Sequence, residues 1–176
     1  MRPSSPFEQV FGRIYGKPCW GAKIGYGSFL TLEFGNPHLE VRPPISTRIT
    51  FPAKVRQNLA HRRVYVHGQW HLWIYCCDWE VLANGKHIGD SSTKRSAQRA
   101  AAFLDGLKLI KCVISPKTGR TLFKFEAGTS LRTRPFDADS EQWLLYEPSK
   151  KVLVVRAGGE YQYGRSDVSE NAREWK

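Results

Sequence analysis

The stretch that most constrains the fold is one the chain uses twice. Residues 29–43 read FLTLEFGNPHLEVRP and residues 121–135 read TLFKFEAGTSLRTRP. Each combines an alternating apolar run, a turn containing Gly, and a second run closing on Leu-x-x-Arg-Pro. Period-two alternation buries one face of a strand, and Gly between two such runs lets the chain reverse, so both stretches predict a β-hairpin. The closing segments, Leu39 to Pro43 and Leu131 to Pro135, then read as a framework shared by two halves of the chain.

The similarity extends on either side. Before each hairpin, a Gly (Gly12, Gly106) precedes a short run that reaches a Cys (Cys19, Cys112). After each, an aromatic-rich run leads to a Val-Leu run and then to Asn84-Gly85 or Gly158-Gly159, both strong hairpin signals. Matching order and spacing favour an internal duplication. One main helix is expected over about residues 93–105, capped by Ser92, with Ala97, Ala100, Ala101, Phe103 and Leu104 on its apolar face and Gly106 after its end. Residues 5–11 are its shorter counterpart. The expected fold is mainly β, a β-rich α+β class. Two similar meander-like halves pack as a sandwich or as a closed, strongly bent sheet, with few short helices. The halves are expected at 1–91, with a basic insertion at 44–69, and at 92–164. A loose tail follows at 165–176, and the whole forms one compact domain. Within the insertion, 52–63 predicts a short helix with Val55 and Leu59 inward.

Apolar residues at 41% and aromatics at 12% are compatible with a packed core and exclude a disordered chain. No uncharged run approaches a membrane span and the first residues lack an apolar signal core, so a cytoplasmic protein without a membrane partner is expected. The four cysteines have no C-x-x-C spacing and read as buried reduced thiols.

The net charge of +11 favours acidic or polyanionic partners. From residue 42 to residue 76 there are six lysines and arginines and no acid: Arg42, Arg48, Lys54, Arg56, Arg62 and Arg63. The matching connection in the second half carries Asp137, Asp139 and Glu141 instead. The leading reading is a non-enzymatic binding protein, adaptor-like or immunity-like. Its basic insertion would contact an acidic protein partner or a second copy. The alternative is a nucleic-acid-binding protein in which Arg48, Lys54, Arg56, Arg62 and Arg63 act with Lys94, Arg95 and Arg99 of the main helix. Trp70, Trp73 and Tyr75 could stack on bases but fit a β core better, Trp73 and Tyr75 lying on one face of a strand.

A third alternative is a small hydrolase or ligand-binding β-barrel around His71, Cys77 and Asp78. On one extended strand, however, His71 and Cys77 lie about 20 Å apart and His67 and His71 about 13 Å apart, too far to share a metal ion. Cys77 facing His87 across the Asn84-Gly85 turn lacks an oxyanion hole. The segment GDSSTK at 89–94 reads as a helix cap rather than a phosphate loop. No catalytic residue, metal ligand or cofactor is assigned from sequence.

Overall fold

The computed structural model describes residues 6–46, 51–168 and 174–176. The first half runs α1 (Pro6–Phe11), β1 (Cys19–Ile24), β2 (Leu30–Phe34), β3 (His38–Arg42), α2 (Ala53–Leu59), β4 (Arg63–His67), β5 (Trp70–Ile74), β6 (Cys77–Ala83) and β7 (Lys86–Asp90). The second runs α3 (Lys94–Leu104), β8 (Leu109–Ile114), β9 (Thr121–Phe125), β10 (Thr129–Pro135), β11 (Glu141–Tyr146), β12 (Lys151–Arg156) and β13 (Tyr161–Arg165).

The fold is the expected mainly-β class, built as a sandwich and not as a closed barrel. A six-stranded sheet of order β1-β2-β5-β11-β12-β13 packs on a five-stranded sheet of order β7-β6-β10-β9-β8, while β3 and β4 pair only with each other. Alternation explains which faces meet. Leu30, Leu32 and Phe34 of β2 and Leu72 and Ile74 of β5 are buried against Val81, Phe123 and Leu131 of the other sheet in one core. Phe11 of α1 enters that core against Phe123 and Trp143, with ring centroids 6.0 and 5.7 Å away. Helix α3 packs against β7 and β1, the edges of the two sheets, and so closes one side of the sandwich. Its cap is Thr93, whose hydroxyl accepts from Ser96 N at 3.1 Å, rather than Ser92. Ala97, Ala100, Ala101 and Leu104 are buried as expected, whereas Phe103 is exposed.

Each half gives a three-stranded meander to one sheet and then sends its next hairpin into the other. The meander β1-β2-β5 lies beside β11-β12, and β8-β9-β10 lies beside β6-β7. This is a correspondence of strand order, not evidence of descent. It also relocates the repeated stretch. In the second half the hairpin forms as expected: β9 and β10 pair through Ala127 and Gly128, both at positive φ, with Thr129 N donating to Glu126 O at 3.1 Å. In the first half β2 already has β1 on one edge and β5 on the other, so β3 has no edge to join. Gly35 takes a positive φ of 75°, but the Asn36-Pro37 that follows cannot close a two-residue turn of the same type, because Pro fixes φ near −65°. The partner of β2 is therefore β5, and the described residues between Phe34 and Trp70 leave the sheet as an arm. The shared Leu-x-x-Arg-Pro ends are not equivalent: Leu131 is fully buried and Leu39 is 66% exposed.

Helix α2 ends at Leu59 and buries no residue; Val55 is exposed and Leu59 only half-buried, against the expected inward face. At the other end of the chain, Trp175 packs over the outer face of the six-stranded sheet, and Lys176 exchanges backbone hydrogen bonds with Tyr161 of β13. Among the described residues no helix is long and apolar enough to cross a membrane.

Candidate functional site

The outer face of the six-stranded sheet carries the residues left over from the core alternation. In β2 these are Thr31 and Glu33, and in β5 they are His71 and Trp73. The antiparallel register sets Glu33 directly opposite His71, and His71 opposite Tyr146 of β11. A carboxylate on an outer face would ordinarily meet solvent, yet Glu33 is only 1% exposed. The base of the arm covers it. His67 ends β4, Gly68 and Gln69 turn the chain into β5, and the Gly68 N–H donates to Glu33 Oε2 at 2.9 Å.

The other carboxylate oxygen gathers both imidazoles. His71 Nδ1 lies 2.7 Å from Glu33 Oε1 and His67 Nδ1 lies 3.0 Å from the same atom. The two rings meet edge to face with centroids 5.0 Å apart. The expected 13 Å separation fails because Gly68 breaks the extended chain and folds His67 back over β2 and β5. Burial alone would raise the Glu33 pKa. The hydrogen bond and electrostatic attraction of His71, then the Gly68 N–H and His67, more than offset it and hold the carboxyl below the ordinary range. On its far side, His67 Nε2 sits 3.4 Å from Glu40 Oε2, and Arg42 Nε donates to Glu40 Oε1 at 2.8 Å. An open groove of about 970 Å³ runs past these groups, lined among others by His38, Glu40, Arg42, His67, His71 and Tyr146.

The arm that frames this groove has two unlike faces. Cross-strand pairs Leu39–Val66 and Val41–Val64 share one face, and His38–His67, Glu40–Tyr65 and Arg42–Arg63 share the other. The polar face turns to the groove, with the Arg42 guanidinium 5.1 Å from the Tyr65 ring centroid. The aliphatic face is uncovered: Leu39, Val41, Val64 and Val66 are 66%, 54%, 56% and 49% exposed. The chain matches no protein-family model, no curated protein and no solved structure.

Of the residues expected at a basic surface, Lys54 and Arg56 lie on α2, Arg62 directly precedes β4 and Arg63 opens it, so the arm gathers these four. Arg48 lies outside the described residues. Lys94, Arg95 and Arg99 are exposed on α3, a different part of the fold that packs on β7 and β1. Trp73 and Tyr75 are half-buried and clustered with Phe29, at 5.9 and 4.6 Å between ring centroids, as packing groups would be.

The Cys77 constellation does not assemble. His71 and Cys77 lie on separate strands in different sheets, with the chain broken at Tyr75 and Cys76. The Cys77 thiol is fully buried and pushed up to about 12, by burial first and by Asp78 second, which leaves it an inert packing group. Asp78 instead holds Arg134 at 2.8 Å, and His87 meets Asp90 at 3.0 Å. In the acidic connection, Asp137 accepts from Asp139 N, Ser140 N and the Ser140 hydroxyl, so it shapes its own loop.

Glu33 was not singled out by sequence reasoning. The available signal was an acid inside an apolar strand, LTLEF, together with two histidines flanking a Gly in HGQWH.

Proposed function

We propose that this chain is a non-enzymatic binding protein whose arm docks an acidic protein partner. The uncovered aliphatic face of β3 and β4 carries the reading. Four Leu and Val side chains side by side in water on a projecting two-stranded sheet are costly unless something covers them. The charge of the arm supports an acidic occupant. Between residues 42 and 76 there is no acid, and Lys54, Arg56, Arg62 and Arg63 belong to the same arm as the aliphatic patch. A second copy meeting arm to arm would bring like charges together, so a partner of opposite charge fits better. Aliphatic side chains offer bases no stacking surface, which disfavours nucleic acid as occupant of this face.

The test is a comparison of captures from the encoding organism by the wild-type chain, by Val64→Glu, and by a Lys54→Glu/Arg56→Glu/Arg63→Glu variant. Val64 is exposed, so its replacement leaves the core intact. An acidic protein held in stoichiometric amount by the wild type is expected to bind Val64→Glu on the order of 30-fold more weakly. The triple variant should associate more slowly and lose its sensitivity to salt. Equal capture by Val64→Glu would sink the proposal. So would retention of DNA or RNA, in place of protein, that falls steeply with salt.

A further inference from the structure

We infer that Glu33, His67 and His71 form a binding site for one divalent transition-metal ion, zinc by the character of the ligands. This does not depend on what the arm docks. A carboxylate oxygen and two imidazole nitrogens, one from each residue, all lie within 4.8 Å of one another. Two imidazoles with one carboxylate are a ligand set for zinc, whereas magnesium and calcium prefer oxygen throughout. Bonds of about 2.0–2.1 Å in a tetrahedral site put neighbouring ligand atoms roughly 3.3 Å apart. The Nδ1–Oε1 distances of 2.7 and 3.0 Å need to open by only a few tenths of an ångström to reach that. Small rotations of the half-buried imidazoles supply this.

The surroundings also supply the support that metal ligands need. His67 stands between two carboxylates, Glu33 at Nδ1 and Glu40 at Nε2. With a metal ion at Nδ1, the proton sits on Nε2 and points at Glu40, which Arg42 fixes from behind. The remaining oxygen of Glu33 is held by the Gly68 N–H. Such support behind the ligands orients them as metal sites require. Both imidazoles line the groove, which gives the ion a route in and leaves a coordination position toward solvent. Because Glu33 and His71 belong to the sheet and His67 to the arm, the ion would clamp the arm's base to the sandwich.

The experiment uses tag-free, chelator-stripped full-length chain under reducing conditions, titrated with zinc by calorimetry and with cobalt(II) by visible absorption. One equivalent is expected to bind, and added zinc should raise the melting temperature. His71→Gln and Glu33→Gln should abolish both effects. Glu40→Gln, at a partly exposed position outside the ligand set, should fold normally and bind zinc 10- to 100-fold more weakly. Failure of the wild type to bind one equivalent overturns the inference. So does unchanged zinc affinity in both His71→Gln and Glu40→Gln. A cobalt thiolate charge-transfer band that survives His71→Gln would put the ion on cysteine and overturn it equally.

Discussion

Gly68→Ala is expected to lower the melting temperature by roughly 6–12 °C, the equivalent of about 3 kcal/mol in a domain of this size. A Cβ at this position would lie 2.5 Å from Phe34 O, 2.8 Å from Phe34 N and 3.1 Å from Trp70 O. All three are backbone atoms of strands paired in the six-stranded sheet, so no flexible side chain can move aside. The base of the arm must lift instead. The hydrogen bond from Gly68 N to Glu33 is then lost, and the buried carboxylate gives up one of its donors. Weaker zinc binding should accompany the drop. Gly164 in β13 is the control, because a Cβ there meets nothing within 4 Å and Gly164→Ala should melt close to the wild type. If the two variants melt alike, the close approach at Gly68 does not matter.

The second large effect lies at alkaline pH. Cys19 and Cys77 are both fully buried, and burial, reinforced by Asp105 and Asp78 respectively, pushes each thiol from 9.0 up to about 12. Each thiol also faces a carbonyl, Leu104 O at 2.9 Å and Gln142 O at 3.5 Å, which favours S–H and would repel a thiolate. Below pH 9 both the folded and the unfolded chain keep these protons, and the stability they represent is fully present. Above it the unfolded chain releases them first and binds fewer protons than the folded one, so stability falls as pH rises, the loss continuing up to about pH 12. At roughly 1.4 kcal/mol per pH unit, the gap corresponds to about 4 kcal/mol per thiol as an upper bound. Tyr163, raised to about 12 by burial and then by its hydrogen bond to Glu147, acts in the same direction over the upper part of that range. Urea unfolding under reducing conditions, at pH 8 and again near pH 11, should therefore show a steep loss for the wild type. The slope should be visibly shallower for Cys19→Ala/Cys77→Ala, whatever its absolute stability. Parallel slopes would mean that other groups carry the alkaline transition.

Much of the sandwich was legible because its signals are local. Asn84-Gly85 and Gly158-Gly159 turn hairpins at the expected places, Ala127-Gly128 does the same, and α3 presents its alanines to the core. The first copy of the repeated stretch misled for a non-local reason. Nothing in residues 29–43 reveals that the second edge of β2 is already taken by a strand some forty residues further on. The same kind of information was missing at the site. His67 and His71 were in view, but the distance between them was reckoned along an extended chain, whereas Gly68 bends it. Glu33 was not singled out, because only the register with His71 and the folded-back arm explain its burial. The basic residues of the arm were visible as charge. The aliphatic face beside them was not, because Leu39, Val41, Val64 and Val66 alternate as core strands do.

The exchange of hairpins between the two sheets bears on how the chain leaves the ribosome. When the first half has been synthesised, β5 still lacks its neighbour β11 and β6 lacks β10. Both are long-range partners that arrive only after residue 129. Two open, apolar sheet edges are thus presented together while the rest of the chain is made, which is the situation in which strands pair with the wrong molecule. Neither half completes a sheet by itself in this topology, and sheet pairings that span large sequence separations are expected to slow folding. A cell making this protein quickly would need to shield those edges, and overexpression should draw chaperones to nascent chains that end before β10.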